Sequence, residues 1–194
     1  MPVNPNDPRV SRTRQLILQA FTELVEEQKN VYSISVQDIT ARATINRATF
    51  YAHFEDKYAF LESWMSRKFQ ILLKEALPQG EITGTGSLRT VVQTVFDVLA
   101  RFRQYMTHPG NSRFEPLFEI AMQKELYNLL LEWLNEETTG SPDKVETTAL
   151  VASWGIFGAA LQWSRDPQNR TSETMVHRVL EVAAAAFSPR NVQG

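Results

Sequence analysis

Between residues 46 and 57 the chain sets out side chains whose hydrogen-bonding groups match those on nucleic-acid base edges and phosphates. Arg47 can make a bidentate contact to guanine, Thr49 can touch a thymine methyl or bond a base edge, and Asn46 can pair with adenine. Tyr51 and His53 suit phosphate oxygens, which position a protein without specifying sequence, and Lys57 can reach a backbone phosphate from the margin of the same stretch. Ser35, Gln37, Thr44 and Ala48 complete the candidate DNA-contacting set.

Two short helices must hold these groups. Ser35 is a good N-cap, and Asp38 three residues on can complete a capping box. Val36, Ile39 and Ala43 recur at helical spacing and give the first helix a buried face. The pattern breaks at Thr44-Ile45-Asn46, where Asn46 can cap a second helix. Phe50 and Phe54, four residues apart, form that helix's inner face and leave Asn46, Arg47, Thr49, Tyr51 and His53 to point outward. Two short helices joined by such a turn describe a helix-turn-helix, whose second helix enters the DNA major groove.

The run from Arg47 to Leu61, Arg-Ala-Thr-Phe-Tyr-Ala-His-Phe-Glu-Asp-Lys-Tyr-Ala-Phe-Leu, resembles the signature of the TetR family of bacterial transcriptional regulators, most specifically in its Thr-Phe-Tyr-x-His-Phe-x-x-Lys core. At motif level the resemblance stops with this module; beyond it only length, helical content and domain order agree. It implies a one-component repressor with a DNA-binding module and a larger helical domain that binds a small molecule and dimerises. It also implies that the long helix after the module is a lever between the two. The family usually has glycine at the turn, where this chain has Thr44, and many members have alanine where it has Thr40. A turn needing positive φ is costly for a β-branched residue.

Composition narrows the classes. Of 194 residues 43% are hydrophobic, enough for a packed core, and the net charge is −2. A chain this close to neutrality does not coat nucleic acid by bulk charge, though a local reading face is compatible with it. There is no cysteine, hence no disulfide frame, thiolate nucleophile or cysteine metal site. The polar, proline-containing start does not read as a signal peptide, and no stretch has the length of a membrane helix. The expectation is a cytoplasmic protein without membrane contact.

Along the chain, residues 1–8 read as a loose arm. Arg9, Arg12 and Arg14 open a first helix, with Ser11 or an earlier residue as cap; they read equally as solvated charges or as phosphate contacts. The inner stripe of that helix is Leu16, Ile17, Ala20, Phe21, Leu24 and Val25. A long helix over 56–77 follows the module. Residues 78–87 form a loop in which Gly84-Thr85-Gly86 reads as flexible chain, with Ser87 capping the next helix over 88–106. His108-Pro109-Gly110-Asn111 is a turn. A helix spans 114–134 with Pro116 in its first turn, another spans 143–164 after Gly140-Ser141-Pro142, and a last one follows a cap at Thr171 or Ser172. No β pattern or repeat appears. The fold class is all-α, about nine helices. Residues 1–55 form the helix-turn-helix domain and 56–194 the ligand-binding and dimerisation domain.

Two further residue sets follow from the inward stripes. Trp64, Met65, Phe96, Phe102, Met106, Phe114, Phe118 and Met122 can line an apolar cavity for a hydrophobic or aromatic effector, or can simply be core. Arg103 and His108 could fix a polar end, His108 being otherwise a turn residue. The helix over 143–164 is apolar on more faces than its own domain needs. Trp154, Gly155, Gly158, Ala159, Leu161 and Gln162, with Met175, Val179, Val182, Ala183 and Ala186 from the last helix, form a candidate homodimer surface. A two-fold pair would read a palindromic operator on double-stranded DNA.

The rival classes are an enzyme and a helical interaction module that binds no DNA. There is no nucleophile elbow, His-Glu-x-x-His or phosphate loop. His53, His108 and His177 lie in separate segments. Glu115 and Glu119 share a helix face but read as solvated. The expectation is therefore no enzyme, no catalytic or metal site and no cofactor. An interaction module would suit the acidic balance but leaves the display at Arg47, Thr49, Tyr51 and Lys57 without a purpose.

Overall fold

The computed structural model describes residues 7–77, 82, 84–105, 114–137, 141–168 and 170–187. Among them are eight helices and no strand: α1 (Pro8–Gln28), α2 (Val36–Arg42), α3 (Arg47–His53), α4 (Lys57–Ala76), α5 (Thr85–Tyr105), α6 (Glu115–Glu137), α7 (Pro142–Arg165) and α8 (Ser172–Phe187). The all-α class stands, with eight helices among the described residues where about nine were expected.

The helix ends follow local chemistry. Asp7 caps α1, its carboxylate accepting from the Arg9 N–H at 2.8 Å, with Pro8 at the first helical position. Proline there sacrifices an N–H that has no helical partner in any case. Ser11, read from sequence as a possible cap, lies inside this helix. Helix α5 likewise begins at Thr85, so Ser87 is a buried first-turn residue and not the cap. Gly84 takes up a φ of 115° just before it, a conformation that only glycine adopts without strain. Thr171 caps α8 through the Thr174 N–H at 3.2 Å.

The chain divides into two compact units, one formed by residues 1–65 with 105–118, the other by 66–104 with 119–194. In the first, α1 packs on α2 and α3. Ile17, Phe21, Ile34, Ile39, Phe50, Phe60 and Leu61 are fully buried there, each stabilising by about 1.5–3 kcal/mol as its apolar surface leaves water. The rings interlock edge-on: Phe21 meets Phe60 and Trp64 at 5.0 Å, and Phe54 meets Phe60 at 5.0 Å. Leu16, placed on the inner stripe from sequence, is 44% exposed, and Leu18 is buried instead. The α1 stripe is thus rotated by part of a turn from the one counted on hydrophobicity alone.

In the second unit α7 packs on α8. Its core includes Phe69, Leu73, Val91, Val95, Phe96, Met122, Leu126, Leu130, Ala149, Ile156, Phe157 and Val176. Inside this apolar layer Gln123 donates to Ser153 at 3.2 Å, and Ser153 donates to the Leu150 carbonyl at 2.9 Å. A buried polar pair is tolerable only when bonded in this way. Arg165 of α7 and Glu119 of α6 form an ion pair at 2.6 Å.

Candidate nucleic-acid interface

The first unit presents α3 on a frame fixed by three local devices. Ser35 and Asp38 form a complete capping box at the start of α2: the Ser35 hydroxyl accepts from the Asp38 N–H at 3.2 Å, and the Asp38 carboxylate accepts from the Ser35 N–H at 2.7 Å. A hydrogen bond from the Ser35 hydroxyl to the carboxylate at 2.6 Å, and then the one from the Ser35 N–H, hold the Asp38 carboxyl below its usual range. At the other end of α2, Thr44 adopts a φ of 55°. The Thr44 N–H bonds to the Ala41 carbonyl at 3.2 Å and the Ile45 N–H to the Thr40 carbonyl at 3.0 Å. This pair of bonds is the Schellman motif, which normally carries glycine where Thr44 stands. Asn46 then caps α3, its side-chain oxygen accepting from the Thr49 N–H.

A salt link clamps this frame to α1. Arg42 meets Glu27 at 2.7 Å and Glu23 at 3.4 Å. The Arg42 hydrogen bond holds the Glu27 carboxyl below its ordinary value.

On this frame Phe50 and Phe54 point inward and are buried. Asn46, Arg47, Ala48 and Tyr51 are exposed, and Thr49 and His53 are half-buried. Arg47 lies 6.0 Å over the Tyr51 ring, at the outer edge of cation–π range. Ser35, Gln37 and Thr44 are exposed beside α3. The helix therefore offers water a face of arginine, small apolar, hydroxyl and phenol groups, a mixture suited to base edges and phosphates.

Two basic residues have work inside the protein. Lys57 is half-buried and donates to the Tyr32 carbonyl at 3.4 Å. Burial lowers its pKa and the Asp38 charge partly offsets this. Arg14 donates to the Ser63 hydroxyl at 2.7 Å and lies 4.5 Å over the Phe54 ring. Of the arginines opening α1, this one has an intramolecular role that the sequence pattern did not signal; Arg9 and Arg12 are exposed. Burial first, and then the Arg14 charge, lower the pKa of His53.

Residues 17–63 match the family model of bacterial regulatory proteins of the tetR family. Over 61 residues the chain is 38% identical to an uncharacterized HTH-type transcriptional regulator, YxbF, of Bacillus subtilis strain 168. The aligned part is 31% of this chain and spans only 16% of that relative's length. These matches are confined to the helix-turn-helix module, which is similar to that of the tetR family. Across most of its length its fold is similar to two solved TetR-family structures. One is FadR of Thermus thermophilus, a transcriptional repressor in complex with lauroyl-CoA, with a TM-score of 0.60 and 20% identity over 93% of this chain and 98% of that one. The other is a regulator of Streptococcus agalactiae, with a TM-score of 0.53 and 23% identity over 90% and 95% of the two chains. At these identities the likeness concerns the fold.

The other candidate sets distribute as follows. Of the effector candidates, Trp64, Met65, Phe114 and Phe118 belong to the first unit and Phe96, Phe102, Arg103 and Met122 to the second. Met106 and His108 lie outside the described residues. Trp64 is committed within its unit, donating from Nε1 to the Thr22 hydroxyl at 2.9 Å. Phe96 packs on Trp163 at 5.4 Å. Glu115 and Glu119 do not act as a pair: Glu119 holds Arg165, while the Glu115 charge acts with burial to push the Tyr32 phenol well above its ordinary pKa. His177 is exposed and lies 3.7 Å from Glu181.

On α7, Trp154 is 54% exposed, Gly155 and Gln162 are exposed, and Gly158, Ala159 and Leu161 are half-buried. Leu150 and Val151, absent from the candidate set, extend the same uncovered surface, with Val151 62% exposed. On α8 Val182 is 77% exposed, Met175 and Val179 are half-buried, and Ala183 is buried against its own chain. Ala183 and Val176 face inward on α8, so Ala183 is a core residue where it was counted with the outward set. The Ala186 side chain lies outside the described residues. None of the helices described is long and apolar enough to cross a membrane, and no cluster among the described residues has the His, Asp and Glu groups to hold a metal ion.

Proposed function

We propose that the chain is a ligand-responsive transcriptional regulator that binds a palindromic operator as a homodimer and is released by a small-molecule effector with a hydrophobic or aromatic part. The observation that carries this reading is the α3 face: Arg47, Ala48 and Tyr51 exposed, on a helix capped by Asn46, in a module matching the TetR family. Arg47 and Thr49 are the base-reading residues. Tyr51, His53 and the residues at the start of α2, Ser35 and Gln37, contact phosphates. The uncovered surface around Leu150, Val151, Trp154 and Val182 is where a second copy pairs, since patches of this kind on soluble proteins mark association sites.

The effector class takes its lead from the apolar and aromatic residues of the second unit, with Arg103 as the candidate to meet an anionic end. The similar fold of a lauroyl-CoA-bound repressor makes an acyl-CoA the first compound to try. The ligand acts only to the extent that it prefers the DNA-free state.

The reading is tested by selecting sites from a random duplex pool with the wild-type protein. A palindrome with half-sites about one helical turn apart is expected. Arg47→Ala should cost about 1–3 kcal/mol on the selected site and flatten preference at one base pair. Lauroyl-CoA and flat apolar compounds are then titrated into the complex. Recovery of no sequence by the wild-type protein ends the reading.

A further inference from the structure

Phe114 stands at the threshold of α6, far in sequence from the helix-turn-helix, yet it belongs to the same compact unit. Its ring is clasped by two tyrosines. Tyr58 stacks on it with centroids 5.1 Å apart and planes at 17°, and Tyr32 meets it at 4.9 Å with planes at 46°. Tyr58 lies in the first turn of α4, and Tyr32 lies in the turn between α1 and α2. The clasp is continued by polar contacts. The Tyr32 carbonyl accepts from Lys57 at 3.4 Å, and the Lys57 charge acts on Asp38, whose carboxylate closes the capping box of α2. Four residues along α6, on the same face, Phe118 meets Trp64 edge-on at 6.4 Å, and Trp64 is tied to Thr22 of α1.

We propose that Phe114 is a positioning residue for the reading head: clasped between Tyr32 and Tyr58, it fixes the starts of α2 and α4 and so sets how α3 is offered to DNA. The argument is geometric. Helix α3 has one buried side chain, Phe50, and takes its orientation from α1 and from α2, to which it is joined by the Thr44 turn. Helix α2 starts at a cap one residue from Ile34 and three from Tyr32, so its entry angle depends on what holds that turn. The turn is held from one side by Val31 and Ile34 in the core, and from the other by the Phe114 ring and the Lys57 ammonium. Phe114 itself is only half-buried and Tyr58 is 50% exposed. The clasp therefore adds orientation more than core stability, since well-formed aromatic pairs contribute beyond their buried area. The ring contacts of Phe114 are with Tyr32 and Tyr58, neither of which lies on α3, so its effect on binding would pass through the position of the module.

This inference rests on the reading of α3 as the DNA-contacting helix. The test compares binding to the site selected by wild-type protein with binding to an unrelated duplex, where phosphate contacts dominate. Phe114→Ala should weaken the selected site by about tenfold while changing the unrelated duplex by about twofold or less, as expected for loss of two ring contacts. Tyr58→Ala should move in the same direction, and Phe114→Tyr, which keeps the stack, should restore discrimination. Thermal unfolding followed in parallel should show all three variants folded. A purely structural role would instead lower both affinities together with the melting temperature. The inference is overturned if Phe114→Ala and Tyr58→Ala both keep the wild-type ratio between the two duplexes, or if Phe114→Tyr fails to restore it. A wild-type protein that selects no site would remove the DNA-reading proposal and this one with it. Selection by wild type with unaltered variants would remove this one alone.

Discussion

The side-chain oxygen of Asn46 accepts two hydrogen bonds from a single residue, Thr49: one from its backbone N–H at 2.7 Å and one from its hydroxyl at 2.9 Å. Both residues are candidates for touching bases, and this contact narrows what each can offer. With its oxygen occupied, Asn46 has only amide donors left, so the two-pronged adenine contact that needs donor and acceptor together is not available in this geometry. Thr49, its proton given to Asn46, presents a methyl group and an accepting oxygen. Asn46→Ala should cost about 1 kcal/mol of unfolding free energy through loss of the cap. Asn46→Asp should keep that stability and lose DNA affinity, because it brings a negative charge toward phosphates. Urea denaturation and gel-shift of the two variants separate the roles; equal stability of Asn46→Ala and wild type would contradict the cap.

Thr44 occupies a left-handed conformation at a φ of 55°. For an L-residue with a branched β-carbon this costs about 1–2 kcal/mol, and glycine avoids the clash while losing somewhat more chain entropy. Thr44→Gly should therefore stabilise the protein by about 1 kcal/mol, visible as a higher denaturation midpoint at unchanged slope. A neutral or destabilising result would mean that the threonine side chain makes a compensating contact.

His53 has its pKa lowered from its ordinary 6.5, by burial and then by the Arg14 charge. The sign follows from linkage. Below the unfolded value the unfolded chain takes up the proton more readily than the folded one, so stability is intact above pH 6.5 and falls as pH drops through the folded pKa. His53→Gln should flatten this acid-side loss. Unfolding free energy measured across the interval from neutral to mildly acidic pH checks it, and an unchanged slope in the variant would assign the acid sensitivity elsewhere.

Features decided within a few residues were legible in the sequence. The Ser35–Asp38 box, the Asn46 cap and the inward Phe50 and Phe54 depend on neighbours up to four positions away, and residue type nearly dictates them, whereas a threonine at position 44 left the φ of the turn open. Features decided by distant partners were not. The Lys57 ammonium looks like a phosphate contact until the Tyr32 carbonyl, 25 residues earlier, is placed beside it. Arg14 looks solvated until Phe54 and Ser63 are known to lie under it. Phe114 reads as an anonymous core aromatic because nothing local reports its stack on Tyr58. The choice of Val176 over Val182 as the buried valine of α8 depends on how that helix is rotated against α7, which hydrophobicity cannot specify when both faces are apolar.

Gly155 and Gly158 bear on the proposed homodimer most directly. A β-carbon built at either position meets nothing within 4 Å, so the protomer itself has no need of glycine at these two sites on α7. Yet glycine inside a helix costs about 1 kcal/mol relative to alanine. A second helix brought close against this face would account for both, since small residues let helix backbones approach. Beside them Leu150, Val151 and Trp154 are left uncovered by the chain's own core. Two α7–α8 pairs packed at about 20° would bury these groups in a four-helix interface. Because there is room at Gly158 in the protomer, Gly158→Glu should leave helicity and subunit core intact while splitting the dimer, and Ala159→Arg should act likewise. Gly158→Ala is the subtler probe: it should raise the helical stability of a monomer but weaken a closely packed dimer. Sedimentation at micromolar concentration, circular dichroism and binding to the selected palindrome together give the outcome. Loss of the palindrome with retained helicity supports pairing through α7. A dimer that survives Gly158→Glu, or a wild-type monomer that binds one half-site specifically, places the interface elsewhere.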